Sequence, residues 1–485
     1  MHGEFTMTRH LPLLYADPTT SGDSLEVVAP YDQTPIATLD TADGAAVERA
    51  LATAYALHRD RDRLLPPARR IEILNRAADL LAERAEDLAL EAAREGGKPL
   101  VDSRVEAARA VDGMRVCVEE LRTQAGREIP MNITASSMHR LALTRYEPIG
   151  VVAAVSAFNH PLNLIVHQVG PAVAAGCPVI VKPAEDTPIS CMRFVEILRE
   201  AGLPPEWCQA GVTADLATAQ ALVTDPRVAF LTFIGSAKVG WMLRSQLAPG
   251  ARCGLEHGGV APVIVAGDAD VEDLVPLVTK GGFYHAGQVC VSVQRVFVHE
   301  SRAREVAERL AAAAAALRVG DPADAATEVG PLIRPREVDR VERWVEEAVQ
   351  AGAEVLTGGK RISDTCYECT VLYDPPPETK VSTAEVFGPV VCVYPYADLD
   401  EAIGRANRLP FAFQASVFTR NLDTALRAAQ RLDAGAVMVN DHTAFRVDWM
   451  PFAGTRRSGH GVGGIGYTMR DMEIQKLVVV RSKEL

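Results

Sequence analysis

At 485 residues, 48% of them hydrophobic and 23% charged, the chain is long enough to bury more than one core and should divide into about three domains. A net charge of −13 with no Lys/Arg-rich run argues against nucleic acid or an anionic membrane as a partner. Nine cysteines, an odd number scattered along the chain, suit a reducing cytoplasm rather than a disulfide framework.

In chain order, the opening "MHGEFTMTRHLPLLYADPTT" has no cationic start, apolar stretch or small-residue cleavage site of a secretory leader, so a cytoplasmic location is expected. Residues 44–96 and 104–124 carry helical spacing with interleaved charges and read as surface helices, "RDRDR" at 59–63 being a solvated face. "MHRLALTRYEP" at 138–148 alternates like an exposed strand. The buried-strand patterns "GVVAAVSAF", "CPVIVKP" and "VAFLTFIG" follow and predict the sheet of a nucleotide-binding domain. The longest apolar run, around "IGVVAAVSAF", is too short to span a bilayer.

A second α/β series begins near residue 255 with "APVIVAG", "QRVFVHE" and a helix containing six consecutive alanines, Ala311 to Ala316. It continues through "VVCVYPY", "QASVFTR" and "GAVMVND". The closing "EIQKLVVVRSKEL" is a strand of the kind that pairs with another subunit's sheet edge. Cys366 and Cys369 in "CYEC" have zinc-ligand spacing, but no second Cys/His pair stands near, so they read as structural and no metal is expected.

Three glycine-rich stretches compete as phosphate cradles. "GHGVGG" at 459–464 fits G-x-G-x-x-G but leaves too little chain for a βαβ unit, and "LEHGGVAP" is a turn between strands. "FIGSAKVGWMLRSQL" from Phe233 runs strand, Gly235-Ser236, helix, and a helix N-terminus favours an anion. Taken alone, it is equally a tight strand-to-helix turn. Cys290 in "FYHAGQVCVSVQR" poses the same choice, since free cysteines are usually inert core residues.

"SAFNHPL", "VIVKPAE", "FIGSAKVG", "LEHGGVAP", "HAGQVCVS", "EVFGPVV" and "MPFAGTRRSGHG" occur in the order and at roughly the separations of the aldehyde dehydrogenase superfamily, which the chain resembles over nearly its whole length. Within it, "FNHPLNLIVHQVGPAVAAG" and "GIGYTMRDM" look most like the lactaldehyde and phosphonoaldehyde dehydrogenase branch. The resemblance implies an α/β fold with a Rossmann-like cofactor domain (1–122 and 145–254), an α/β catalytic domain (255–445), and a small β oligomerisation element (123–144 and 466–485) making homodimers or homotetramers.

It also implies roles. Cys290 matches the nucleophile, which must attack an aldehyde to give an sp3 alkoxide before hydride can leave. A cysteine of ordinary pKa is only about three per cent thiolate at pH 7, so local activation is expected. Asn159 matches the side-chain donor of the oxyanion hole, though an Asn before His-Pro also shapes turns. Glu256 matches the general base that hydrolyses the thioester and favours a free acid over transfer to coenzyme A. Lys182 and Glu185 match the grip on the adenosine ribose, where a carboxylate favours NAD over NADP; their alternative is a surface ion pair. Gly235, Ser236 and Val239 match pyrophosphate and adenine contacts, and Glu385 and Phe387 the nicotinamide-ribose grip and the wall beside the ring.

His257, Val260 and Ala453 depart from the family pattern without removing a reacting group. For the substrate, His160, Arg446 and Arg109 (with Arg115 as an alternative) are expected to favour a small aldehyde carrying a hydroxyl or an oxyanion, since arginine suits such groups. A coenzyme A-acylating dehydrogenase and a noncatalytic NAD-binding protein on the same fold are the competing readings.

Overall fold

Val151 to Ala154 are shielded from water on both sides of their strand, so "VVAAV" forms a central strand rather than an amphipathic edge. The computed structural model describes residues 9–17 and 21–485; within the opening segment read for a leader, residues 1–8 and 18–20 lie outside the described residues. Strand Val151–Val155 sits inside a six-stranded sheet ordered Gly459–His460, Arg252–Glu256, Val228–Ile234, Val151–Val155, Val179–Lys182 and Cys208–Ala210. All neighbours are parallel except the first pair. Helix Asn163–Ala175 follows Val151–Val155 and ends at Gly176, whose φ of 90° is the left-handed stop that glycine takes without strain. "GHGVGG" therefore supplies a sheet edge rather than a cradle.

The second sheet has seven strands in the order Glu354–Thr357, Thr370–Tyr373, Val390–Tyr396, Arg295–His299, Pro262–Val265, Gln414–Phe418 and Ala436–Val439. Its one antiparallel pair is again at an edge. Each sheet has its own apolar core. The six alanines close helix Glu300–Ala315, capped at Ala316. Cys366 and Cys369 are buried free thiols, and among the described residues no group of three or more His, Cys, Asp or Glu side chains is placed to hold a metal ion.

A three-stranded antiparallel sheet joins Glu473–Arg481, Arg140–Pro148 and Glu128–Ile129. The closing strand pairs along its full length with its own chain, leaving its other side as a sheet edge. Leu477, Val479 and Val480 are exposed there. No helix of the described residues is long and apolar enough to cross a membrane.

One expectation is corrected. The helices before residue 124 are not all surface helices: Leu100–Thr123 buries Asp102, Ser103 and Glu106 along with its apolar face, and it packs against Asn163–Ala175 and Ile465–Asp471. Its interleaved charges hid this, because buried acids carry the same sequence signature as solvated ones.

Candidate active site

Strands Val151–Val155, Val228–Ile234 and Arg252–Glu256 of the first sheet end at a cleft of about 620 Å³, within the range of ligand sites, and segments that lead into strands of the second sheet complete its lining. Cys290 lines it, four residues beyond Ala286, which with His285 holds φ of 54° and 51° respectively. Non-glycine residues rarely adopt that conformation, and it persists only where surroundings enforce it. The enforcement is visible on both sides of the thiol. Gln288 donates to Pro331 O at 3.1 Å and accepts from Ile333 N at 2.9 Å, Ser292 Oγ donates to Gly281 O at 3.1 Å, and Thr443 Oγ1 donates to Val291 O at 2.7 Å.

Asn159 follows strand Val151–Val155 and is buried. Its Nδ2 donates to Gln288 O at 2.9 Å, which ties it to the loop carrying Cys290. Beneath it lies a buried ion pair, Lys98 with Glu106. Lys98 Nζ also donates to Asn159 O at 3.3 Å, while Glu106 Oε1 accepts from Leu162 N at 3.0 Å and Asn163 N at 2.9 Å. Lys98 and Glu106 were not singled out in the sequence. Glu106 sits mid-helix in a run that reads as surface, and only Lys98's place in the turn "EGGKP" marks it.

Glu256 ends strand Arg252–Glu256 and faces the same cleft. Gly463 backs it so closely that a Cβ there would lie 2.1 Å from Glu256 Oε1, which explains a glycine in "GHGVGG" without a phosphate. Burial pushes the Glu256 carboxyl up to about 7, with Arg446 pulling the other way. Glu385 is likewise pushed up to about 7 by burial, opposed by the Gly259 amide, which donates to Oε1 at 3.0 Å. A Cβ on Gly258 would meet the Glu385 carboxyl at 1.9 Å, so this close approach requires glycine. Burial raises the Cys290 thiol, as do Glu256 and Glu385, while Arg446 opposes them. The protein groups around Cys290 therefore favour the thiol and do not themselves supply the expected local activation.

Gly235, Ser236 and Val239 line the far end of the cleft where strand Val228–Ile234 turns into helix Ala237–Arg244. No side chain caps that helix, so its first amides remain available to an anion. His257 Nδ1 meets Gly235 O at 2.9 Å and its ring packs against Phe233 and Trp241, so this departure braces the turn. Val260 is buried packing. Phe387 holds a φ of 47° and meets Phe158 edge-on at 5.9 Å, forming a wall. Lys182 and Glu185 pair with each other at 3.0 Å and do not line the cleft, whereas their neighbours Ala184 and Asp186 do. Arg336 and Arg340, absent from the sequence reading, also line it.

At the other end stand His160, Arg109 and Arg446. His160 Nε2 meets Tyr284 OH at 2.5 Å, and burial drives its pKa well below the ordinary histidine value, so the ring is neutral. Arg446 lies over the Phe452 ring at 3.9 Å, and burial lowers it to about 10, still cationic at neutral pH. Arg109 donates to both oxygens of Asp448, at 2.6 and 3.1 Å. Arg115 is exposed on the same helix and does not line the cleft. A thiol, an amide donor, a carboxyl poised near neutrality and an open helix end in one cavity are the groups that acyl-type chemistry with a nucleotide cofactor requires.

The family model "Aldehyde dehydrogenase family" matches residues 16–478. The chain is 38% identical over 461 residues to 3-sulfolactaldehyde dehydrogenase of Priestia aryabhattai, covering 95% of this chain and 96% of that one. Among solved structures, aldehyde dehydrogenase 21 of Physcomitrella patens, in complex with the reaction product succinate, superposes with a TM-score of 0.94 at 34% identity, covering 98% and 99% of the two chains. Glyceraldehyde-3-phosphate dehydrogenase of Methanocaldococcus jannaschii, complexed with NADP, gives 0.90 at 32% identity, covering 94% and 99%. With the motifs, the fold and the cleft in agreement, this chain belongs to the aldehyde dehydrogenase family.

Proposed function

We propose that the chain oxidises a small aldehyde bearing an anionic tail to the carboxylic acid, with NAD or NADP as hydride acceptor and Cys290 as nucleophile. The observation that carries this reading is the convergence of Cys290, Asn159, Glu256 and Glu385 on one cleft. The Cys290 thiol gives its proton to water, its sulfur adds to the aldehyde carbon, and the new alkoxide accepts hydrogen bonds from Asn159 Nδ2 and the Cys290 backbone N–H. Loss of hydride from that carbon leaves a thioester on Cys290. Glu256 takes a proton from water, the hydroxide adds to the thioester carbon, and the acid departs as the Cys290 sulfur leaves.

A nicotinamide dinucleotide, when bound, supplies the hydride acceptor. The residues present fit it: Gly235, Ser236 and the uncapped helix offer amides to a pyrophosphate, Arg336 and Arg340 offer cations, and Glu385 and Phe387 line the same cleft as Cys290. The family resemblance assigns Val239 to the adenine end and Lys182 with Glu185 to the adenosine ribose; Val239 lines the cleft, and the pair stands outside its lining, next to Ala184 and Asp186. The Glu185 carboxylate favours NAD, because a 2′-phosphate there meets a like charge.

Arg446, Arg109 and His160 support the anionic tail, a carboxylate, sulfonate or phosphonate. The relative named for 3-sulfolactaldehyde is consistent with that class. The architecture is read as a cofactor domain of 1–122 and 145–254, a catalytic domain of 255–445, and an element of 123–144 and 466–485 that pairs copies into a homodimer or homotetramer in the cytoplasm. The apolar edge strand Glu473–Arg481 supports the pairing.

The test is nucleotide reduction followed by absorbance with succinic semialdehyde, lactaldehyde, sulfo- and phosphono-aldehydes and benzaldehyde. Turnover that Cys290→Ala abolishes is the expected result. Turnover that requires coenzyme A, or bound NAD with no turnover on any aldehyde, would replace this reading with one of its two rivals. Arg446→Ala should raise KM for anionic aldehydes and leave it unchanged for neutral ones; equal effects on both would remove the anion site.

A further inference from the structure

Asp448 lies behind the tail end of the cleft rather than in its lining, and it is 1% exposed. Its Oδ1 accepts from Arg109 Nη2 at 2.6 Å and from Asn163 Nδ2 at 3.2 Å, and it meets His167 Nε2 at 2.6 Å; its Oδ2 accepts from Arg109 Nε at 3.1 Å. Burial alone would raise this carboxyl, but the bonds from His167 and Arg109 outweigh it and hold Asp448 ionised across the working pH range.

The charges facing the tail can then be assigned group by group. Arg109 and Arg446 line the cleft as cations, and among the described residues Arg446 meets no carboxylate at salt-bridge distance. His160 and His167 are kept neutral, chiefly by burial. Lys98 with Glu106 and Lys280 with Asp102, in the layer behind, each balance internally. Two guanidiniums and one carboxylate leave a single net positive charge at the tail, and Glu256, which also lines the cleft and interacts electrostatically with Arg446, lowers it further as it ionises, so no charge is left over for a second negative charge on the tail.

We propose that Asp448 is a specificity-determining residue: by holding Arg109 from behind, it matches the cleft to a singly charged oxyanion tail, carboxylate or sulfonate, and against a doubly charged phosphonate or phosphate of the same size. This rests on the anionic-aldehyde reading above. A second charge on the tail finds no free cation and faces Asp448 across Arg109 in a partly desolvated site, where like charges repel strongly. Arg109 still donates to the tail through its remaining N–H groups, so Asp448 orients the guanidinium while limiting the charge it can neutralise.

The experiment compares kcat/KM for 3-sulfopropanal and 3-phosphonopropanal, each relative to butanal, at a pH above the second ionisation of the phosphonate. Wild type should use the sulfonate at least about tenfold better than the phosphonate. Asp448→Asn keeps the shape and one accepting oxygen, and should shift the phosphonate-to-sulfonate ratio toward the phosphonate by about tenfold. A merely structural role would depress both aldehydes together and leave the ratio still.

A second arm uses wild type alone. Below the phosphonate's second ionisation the two tails carry the same charge, and their ratio should approach one. Neither anion outperforming butanal would overturn the anionic-tail reading itself. Both anions outperforming it, with a ratio insensitive to pH and to Asp448→Asn, would overturn the role of Asp448 alone.

Discussion

Glu256 gives the sharpest prediction, because its proposed task and its surroundings set opposite requirements. As general base it must be ionised, yet burial pushes it up to about 7. A carboxyl with that value is about one-tenth ionised at pH 6 and about nine-tenths at pH 8. Where thioester hydrolysis limits turnover, the steady-state rate should therefore rise about tenfold between pH 6 and pH 8 and level off above it. Stopped-flow nucleotide absorbance separates the steps: a burst of one reduced nucleotide per site reports acylation, and the linear phase reports hydrolysis.

Glu256→Gln should keep the burst, lose about a hundredfold to ten-thousandfold in the linear phase, and flatten its pH dependence. Arg446 holds the Glu256 pKa down, so Arg446→Ala should move the rising limb to higher pH. A hydrolytic phase that is flat from pH 6 to pH 8 in wild type, or one that survives in Glu256→Gln, would refute the base assignment. The burial of Glu256 has a linked cost in stability. Its folded pKa lies above the unfolded value, so the contribution favouring the fold is present at low pH and is lost as pH rises through 7.

Lys98→Met, which leaves Glu106 buried with only its two amide donors, should destabilise the enzyme by about 3–5 kcal/mol in denaturant titration, and Lys98→Met with Glu106→Leu by less than the sum of the singles. In the folded fraction of Lys98→Met, kcat should fall more than KM rises, because the strand end bearing Asn159 loses a tether. Glu185→Gln should raise kcat/KM for NADP relative to NAD, measured as a ratio on one aldehyde; no change would place the ribose elsewhere. Val480→Lys, on the exposed apolar edge strand, should shift the assembly toward monomer in analytical ultracentrifugation, and an unchanged mass would remove that strand from the interface.

Much of the architecture was legible because buried parallel strands carry a signature that solvent does not blur. "GVVAAVSAF", "CPVIVKP" and "VAFLTFIG" became adjacent strands of one sheet. The cleft-lining residues Cys290, Asn159, Glu256, Gly235, Ser236, Glu385 and Phe387 were legible through the motifs that carry the family resemblance, because periodicity says nothing about single residues in the loops and strand ends that line a cleft. What stayed hidden was whatever depends on contacts between distant segments. Lys98 meets Asn159 from 61 positions away, Glu106 meets Leu162 and Asn163 from 56 and 57, and Asp448 meets Arg109 across 339. Periodicity reports which face of a helix is wet only when the buried face is apolar, so the helix Leu100–Thr123 misled by burying its acids.

The raised pKa values of Cys290, Glu256 and Glu385 have a common cause and a common consequence. All three are buried around one cavity, each carboxylate disfavours a thiolate beside it, and Arg446 opposes the shift at both Cys290 and Glu256. Among these groups the low-energy arrangement is a neutral thiol, which is poorly nucleophilic and poorly oxidised. An oxidised nicotinamide ring is cationic, so its arrival in the same cavity supplies the charge that the protein lacks. The expected sign is that oxidised nucleotide speeds iodoacetamide capture of Cys290, whereas reduced nucleotide, whose ring is neutral, does not. Activation of the nucleophile would then be conditional on a hydride acceptor being present, which restricts thiohemiacetal formation to complexes able to finish the oxidation.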